Sequence, residues 1–576
     1  MSTSNQDFFK SNVLGHPAGL FVLFFTEMWE RFSYYGMRAI LVLFLTSALI
    51  DGGWAWPREH ALALYGTYTA LVYLTPIIGG YLADKLIGYR KAVVIGASLM
   101  TLGHACMALE TPMFLYLGLF FLVAGNGFFK PNMTSIISNM YKEHPEKKDG
   151  AYTIFYMGVN AGAFLGIMLC GYLGEKVGWS WGFGLAGIFM AFGALQFWLA
   201  QNIFGTIGTT PVKETGPVQT VAEDGDKFNP FTLFDKILIA ITATVALVWI
   251  LNDPYSRVSG NNVFGTADNA NYAIIFALAV FIIILVSRIV RYSTVTRDRM
   301  IAVVIFAIFT MFFWAAFEQA GGSMTIFAKD YTNRALAGNS ALLFKIFNSL
   351  LTVVPLAIIT WVLYKLFVQT FQQYATSNII LSTSFVIIWG IVLWMLYNEY
   401  IKDETEITAS WFGILNSFYI ITFAPLFSKL WESKYNPSAS VKYGMGMILL
   451  GVGFLALTYG SKDIPQGAQT AAVSIIWLIL AYLFHTLGEL CLSPVGLSYV
   501  SKLVPGRMIA IMFGIWYLAI AIGMKLAGTM GGMIDEITAK YDMSTFFLIF
   551  TVIPIGAGIV VMSLHPLLKK LMHGVR

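Results

Sequence analysis

The first apolar segment of the chain contains four charged side chains that could bind an ion or exchange a proton: Glu27, Glu30, Arg31 and Arg38. A charge near the centre of a bilayer costs several kcal/mol, so such groups usually face a cavity and serve a function. Helical geometry places Glu27, Arg31 and Tyr34 within about 60° of one another on one face. The pattern indicates a substrate, ion or proton site. The alternative is that Glu27 and Arg31 form an ion pair that only stabilises the helix bundle.

Two further apolar segments contain polar side chains that could contact the same ligand. Lys130 lies beside Pro131 in apolar sequence, where an isolated ammonium needs an anion. The alternative is that Lys130 extends towards the lipid headgroups. Asn160 could line a cavity or could only bond neighbouring helices, and Gly158 and Gly162 allow close helix approach.

Three carboxyl or aromatic groups of the later half complete the set. Trp314 and Glu318 share a helix face at a spacing of four residues, and Glu489 follows His485 at the same spacing. A buried, unpaired carboxyl group exchanges protons near neutral pH, so both glutamates are candidate proton sites. For His485, packing is the favoured interpretation. Cations in the first half and carboxylates in the second suit an extended dipeptide or tripeptide, which spans about 7–10 Å.

The composition indicates that these residues lie in a polytopic membrane protein. The 576 residues are 57% hydrophobic and only 12% charged, with a mean hydropathy of +0.70, whereas soluble domains carry about 25% charged residues. Apolar runs long enough to cross a bilayer recur along the chain. They predict sixteen spans: 17–49, 59–83, 91–110, 114–138, 153–174, 181–203, 234–252, 271–291, 299–327, 341–368, 377–398, 410–431, 441–460, 473–500, 508–532 and 545–570.

Loops rich in Lys and Arg fall on one side of this path, together with both termini, so we expect that side to be cytoplasmic. The net charge of +5 reflects this bias and does not indicate nucleic acid binding. The three cysteines lie in separate apolar segments, which predicts neither a disulfide framework nor a thiolate metal site. A polar linker at 205–229 divides the chain.

The short loop after the second span has the sequence GGYLADKLIGYRK, at residues 79–91, which resembles the loop motif of the major facilitator superfamily. The resemblance implies an all-α membrane fold with two six-helix bundles around a midplane site. The predicted domains are an N-terminal six-helix bundle, a linker with an extra helix pair, the first helix of the C-terminal bundle, an inserted helix pair and the rest of that bundle: 1–203, 204–296, 297–332, 333–400 and 401–576.

The first and fifth apolar segments indicate a narrower family than the loop motif does. In these segments the chain resembles the proton-dependent oligopeptide transporters, a branch of the major facilitators. Their signatures match Glu27-x-x-Glu30-Arg31-Phe32-x-Tyr34-Tyr35-Gly36 and Phe155-Tyr156-x-x-x-Asn160-x-Gly162. Supporting stretches surround Tyr73, Lys130, Glu318, Asn416 and Glu489, so the likeness covers nearly the whole chain.

The resemblance implies a role for each of these residues. Glu27, Glu30, Arg31 and Glu318 would couple protons to transport. Arg31, Arg38 and Lys130 would hold the carboxylate of a peptide, with Tyr35, Tyr73 and Asn160 nearby. Asn416 and Glu489 would meet its amino end, and Trp314 and Trp516 would shape side-chain pockets.

The chain departs from the family pattern in three places. Gly66 occupies the position of a histidine that animal members use for proton coupling, so coupling rests on the carboxylates. Tyr517 follows Trp516 where Phe is usual. The pair 341–368 and 377–398 separates Glu318 from Asn416 and is interpreted as a peripheral inserted hairpin; Asn348 partly imitates the Asn416 motif, which leaves a second alignment open.

We therefore expect a proton-coupled symporter of di- and tripeptides in a bacterial inner membrane, acting as a monomer without a cofactor other than protons. The alternative within transporters is another small substrate, such as nitrate, a drug or an amino-acid conjugate. The remote alternative is a membrane-embedded enzyme, but the sequence contains no H-E-x-x-H motif and no Gly-rich nucleotide loop.

Overall fold

The structure is a computed structural model that describes residues 12–211, 229–505 and 508–575. Six helices precede the linker: α1 (Ala18–Thr46), α2 (Arg58–Leu82), α3 (Tyr89–Met107), α4 (Pro112–Met140), α5 (Pro145–Lys176) and α6 (Trp179–Ala200). Their ends agree with the first six predicted spans to within three residues, except that α5 begins eight residues before its predicted span. A π-helical turn at Ala83–Ile87 extends α2. Most of the predicted linker, residues 212–228, lies outside the described residues.

Gly88 ends this turn and allows α3 to begin. Its φ angle is +81°, a left-handed conformation that favours glycine, and an added Cβ would lie 2.5 Å from the carbonyl oxygen of Thr209. Proline occupies the first position of α4 and of α5, where its missing N–H costs nothing.

Two helices follow the linker, α7 (Leu233–Ser259) and α8 (Ala267–Ile289). The side chain of Thr232 accepts a hydrogen bond from the Asp235 N–H, and Asp235 accepts one from the Thr232 N–H, so a capping box begins α7. Arg288 of α8 lies 2.9 Å from the Asp235 carboxylate. This buried ion pair joins the two helices.

The rest of the chain is also mainly helical. Its helices are α9 (Thr294–Phe317), α10 (Ser323–Asp330), α11 (Gly338–Tyr400), α12 (Ile414–Glu432), α13 (Ala439–Gly460), α14 (Ile476–Leu503), α15 (Ile509–Gly532), α16 (Ile534–Lys540), α17 (Met543–Ser563) and α18 (His565–Leu571). Short 3₁₀ segments at Glu318–Gly321 and Ala409–Gly413 follow α9 and precede α12. Tyr374, with φ −130° and ψ 44°, breaks α11 into the two arms of the predicted hairpin.

Six strands of two residues each lie in the described loops: β1 (Asn12–Val13), β2 (His16–Pro17), β3 (Thr332–Asn333), β4 (Ala335–Leu336), β5 (Thr405–Glu406) and β6 (Val473–Ser474). β1 pairs with β2, and β4 pairs with β5; both pairs are antiparallel. Ala335 lies opposite Glu406, so the ends of the inserted hairpin meet in a short ribbon.

Thirteen helical segments of the described residues are long and apolar enough to cross a membrane, and the bent α11 counts as one of them. That count leaves out α1, whose 29 residues include four charges, and the 19-residue α3. The expected total of about sixteen spans stays a prediction.

The chain folds into two compact units. The first contains described residues of 1–55, 74–212 and 325–418, and the second contains those of 56–73, 213–324 and 419–576. The five predicted domains are consecutive stretches of the chain, whereas these two units group residues that are close in space. The predicted division therefore stays a prediction.

In the first unit, α1 is the central helix. Gly158, Gly162 and Gly166 of α5 face it, and an added Cβ on Gly162 would lie 2.1 Å from the Met28 carbonyl oxygen. The inserted hairpin also packs on this unit: the Phe385 ring lies 5.6 Å from that of Trp29, and Ser377 donates to the Gln196 carbonyl oxygen at 2.9 Å. The hairpin therefore packs against α1 and α6.

Candidate functional site

Arg31 is the centre of the ionic cluster in the first unit. Its Nε lies 2.8 Å from Glu27 Oε1 and 2.8 Å from Glu30 Oε2. Glu30 is fully buried, and Arg31 is 5% exposed. The Glu27–Arg31 pairing expected from a spacing of four residues is therefore present. One guanidinium group shared by two carboxylates leaves this cluster one negative charge in excess when both are ionised.

Helix α4 supplies the neighbours of this cluster. Asn126 donates its side-chain N–H to Glu30 Oε1 at 3.2 Å. One turn later, the ammonium of Lys130 interacts electrostatically with Glu30 and Arg31. Lys130 therefore brings a second cation to the carboxylates of α1.

Arg38 lies two turns beyond Arg31 on the same helix. Its guanidinium carbon lies 5.5 Å from the centre of the Tyr35 ring, and both side chains are half-buried. The Arg31 guanidinium carbon lies 5.7 Å from the Tyr34 ring. Aromatic faces stabilise both cations, and a half-buried Arg38 remains accessible to a ligand.

Asn160 and Asn416 are the candidate amides of the first unit. Asn160 is buried and donates to the Tyr156 carbonyl oxygen of its own helix at 3.0 Å. Asn416 lies in the first turn of α12 and is half-buried. The start of the preceding 3₁₀ segment is fixed by Glu175 of α5, whose carboxylate accepts from the N–H groups of Ala409 and Ser410 at 2.8 and 2.9 Å.

In the second unit, Glu318 begins the 3₁₀ turn after α9 and is 1% exposed. Tyr65 of α2 donates its hydroxyl to Glu318 Oε1 at 2.5 Å. The neighbouring Gln319 donates to the Ala527 carbonyl oxygen at 2.9 Å and accepts from Ser323 at 2.5 Å. The turn is thereby held to α15, and the carboxyl group of Glu318 has a defined position.

The remaining candidates of the second unit lie on four helices. Trp314 is half-buried and packs edge-on against Phe317, with ring centres 5.3 Å apart. Trp516 is 3% exposed, and its ring leaves no space for a Cβ on Gly496. Glu489 and Tyr73 are half-buried. Trp314, Glu489 and Tyr73 are accessible to a ligand, whereas Trp516 is buried, and the roles of all four stay predictions.

His485 has the surroundings of a packing residue. It is 2% exposed, its ring lies 4.4 Å from that of Phe454, and neither ring nitrogen has a hydrogen-bond partner among the residues that the structure describes. Gly453 makes room for the imidazole, because a Cβ there would lie 2.4 Å from its Cδ2. This agrees with the packing interpretation.

Two site contacts were not anticipated from the sequence. The contact of Asn126 with Glu30 is one of them, although a polar residue one turn from Lys130 on an apolar helix is itself a signal. The other is the contact of Tyr65 with Glu318, because no local spacing connects residues that are 253 positions apart.

Comparisons with known proteins agree with this architecture. The family model described as POT family matches residues 90–387 and 391–548. A peptide transporter of Yersinia enterocolitica, YePEPT, is 30% identical and covers 100% of this chain and 99% of its own. A di-/tripeptide transporter of Lactococcus lactis subsp. cremoris is 29% identical over 98% of each chain.

Solved structures give the same result. A crystal structure of a peptide transporter POT with sulfate matches with a TM-score of 0.70 at 28% identity and covers 100% of both chains. A POT family transporter with 5-aminolevulinic acid matches with a TM-score of 0.72 at 26% identity, covering 97% of this chain and 99% of that one. The expected multi-pass membrane architecture and the major facilitator type of fold are confirmed, and this chain belongs to the POT family.

Proposed function

We propose that this protein imports di- and tripeptides together with protons by alternating access. The observation that carries the proposal is the buried Glu27–Glu30–Arg31 cluster, in which one guanidinium group contacts two carboxylates at 2.8 Å. A proton on either carboxylate leaves Arg31 with one ionised partner, so it becomes available to another anion. The relatives named as peptide transporters support a peptide carboxylate as that anion.

Each residue has a role in this proposal. Arg31, Arg38 and Lys130 bind the peptide carboxylate, with Tyr35, Tyr73 and Asn160 beside it. Asn416 and Glu489 bind the amino end, and Trp314 and Trp516 contact the side chains. Glu27, Glu30 and Glu318 take up and release the coupled protons.

Protons can supply the energy for such uptake. A proton moving across about 180 mV releases about 4 kcal/mol, at about 2.3 kcal/mol per 100 mV. That is enough for a peptide gradient of about a thousandfold. We further propose that the protein acts as a monomer in a bacterial inner membrane, with both termini cytoplasmic and no cofactor.

Uptake of labelled dialanine into proteoliposomes tests the proposal, with and without an inward proton gradient. We expect uptake that needs the gradient and that unlabelled trialanine blocks but free alanine does not. Adding 5-aminolevulinic acid as a further competitor separates peptides from smaller amino-acid-like substrates. Absence of dialanine uptake from fully reconstituted protein would contradict the peptide assignment.

A further inference from the structure

A second ionic cluster lies in the second unit, apart from every residue assigned above. Lys525 of α15 is 4% exposed. Its ammonium group contacts the carboxylate of Asp253 on α7, lies 2.9 Å from Thr67 Oγ1 and lies 3.4 Å from the Ala63 carbonyl oxygen, both on α2. One buried cation therefore joins α2, α7 and α15.

The cluster continues towards the beginning of α2. Arg257 Nε lies 2.8 Å from Asp253 Oδ1, and the other end of the guanidinium group contacts the Glu59 carboxylate. Charges alternate along the series Glu59, Arg257, Asp253 and Lys525, so each ion has an opposite neighbour. Helix α7, which is outside the two predicted bundles, supplies the middle two charges.

This cluster borders a close contact between α2 and α15. An added Cβ on Gly66 would lie 2.8 Å from Gly528 Cα, and one on Gly528 would lie 2.5 Å from the Leu62 carbonyl oxygen. Lys525 precedes Gly528 by three residues and binds α2 on either side of Gly66. The hydrogen bonds of Lys525 to α2 and the glycine contact therefore close the same seam between α2 and α15, and Asp253 of α7 compensates the charge of Lys525 there.

An ion pair suits a contact that must open and close. In the closed contact, each buried charge is compensated by its partner. In the open contact, water solvates both charges. An apolar pair of similar size favours burial, and it commonly stabilises the closed form as well as or better than the ion pair does. A single buried charge without its partner disfavours the closed form.

We propose that Asp253 and Lys525 are positioning residues for transport: Lys525, with its charge compensated by Asp253, holds α2 against α15, and the pair allows the seam to open when the access state changes. This inference rests on the proposed transport function, because alternating access requires helices of the two halves to separate. Because Asp253 belongs to α7, the inference gives this helix a part in the transport cycle. The contact of Lys525 with α2 also helps to position α2 where Tyr65 reaches Glu318.

The test is the distance between spin labels at Pro57 and Glu536, two exposed positions beside the ends of α2 and α15. The native cysteines Cys106, Cys170 and Cys491 are first replaced, and the protein is measured in liposomes without peptide. Asp253→Asn leaves Lys525 unpaired, whereas Asp253→Leu with Lys525→Met removes both charges. The matched controls, Asp235→Asn and Asp235→Leu with Arg288→Met, alter the buried pair that joins α7 to α8.

The two variants are expected to shift the distances in opposite directions. Asp253→Asn should raise the long-distance fraction about threefold or more, and the double variant should lower it by a similar factor and slow dialanine uptake. The controls should match the wild-type distribution. Should the single variant fail to fold, the double variant still decides the question.

Equal distributions in the wild type and the double variant would overturn the proposal, as would a shift of both variants in one direction or a shift in the controls. The distance measurement uses no peptide. Failure of the wild type to take up dialanine would therefore contradict the proposed function, whereas unchanged distances would contradict the role of this ion pair.

Discussion

Tyr65 and Glu318, which are 253 residues apart in sequence, share a hydrogen bond of 2.5 Å between the tyrosine hydroxyl and the carboxyl group. Both residues are buried, at 1% exposure each. A carboxylate in apolar surroundings depends on its few donors, and a hydrogen bond to a charged group contributes about 1.5–3 kcal/mol. Tyr65 therefore fixes the position of the Glu318 carboxyl group.

Replacing Tyr65 by phenylalanine should slow proton-driven peptide uptake by about ten- to hundredfold. The reason is that the Glu318 carboxyl group would lose the hydrogen bond that positions it. Initial rates of dialanine uptake in proteoliposomes measure the effect. Tyr443→Phe is a suitable control, since that buried hydroxyl faces the neutral Thr310 hydroxyl at 3.2 Å; equal losses in both variants would argue against a special role for Tyr65.

Replacing Glu318 by glutamine should abolish uphill uptake while peptide counterflow continues. Glutamine fills the same space and can still accept from Tyr65, but it cannot bind and release a proton. Counterflow of labelled against unlabelled dialanine needs no net proton movement, so the two assays separate coupling from binding. Loss of both activities in correctly folded protein would show that Glu318 acts in peptide binding instead.

The sequence predicted contacts within one helix better than contacts between helices. A spacing of four residues was enough to pair Glu27 with Arg31, because the helical period fixes which side chains share a face. The spacing within α1 contains no information on which helix lies opposite α1, so the Asn126 contact with Glu30 was not predicted. Lys525 did give a signal, a charge in an apolar span, but its partner Asp253 lies 272 residues away.

Gly162→Ala should lower the stability of the protein by about 1–3 kcal/mol, the usual cost of overpacking. An added Cβ would lie 2.1 Å from the Met28 carbonyl oxygen, and the backbone of α1 or α5 would have to move. Gly390→Ala is the control, because no atom of the described residues beyond its own stretch of helix lies within 4 Å of a Cβ there and alanine is the better helix former. Thermal unfolding in detergent should rank Gly390→Ala at or above the wild type and Gly162→Ala below it.

Glu175→Ala should loosen the start of the 3₁₀ segment Ala409–Gly413, which leads into α12, the helix that carries Asn416. The carboxylate of Glu175 accepts from two consecutive N–H groups, those of Ala409 and Ser410, and a helical segment has no internal acceptors for its first N–H groups. Hydrogen exchange should therefore speed up at these two amides by about tenfold or more, since a lost charged hydrogen bond is worth about 1.5–3 kcal/mol.

The matched control for this variant is Glu406→Ala. Glu406 is about half exposed and pairs with Lys176 at 2.8 Å and with Arg334 at 2.9 Å. Pairs with an exposed partner contribute about 0–1 kcal/mol, so we expect little change in exchange at Ala409 and Ser410. If peptide affinity also falls in Glu175→Ala and not in Glu406→Ala, the position of Asn416 depends on this cap. Unchanged exchange at Ala409 and Ser410 in Glu175→Ala would show that other contacts hold the beginning of this 3₁₀ segment.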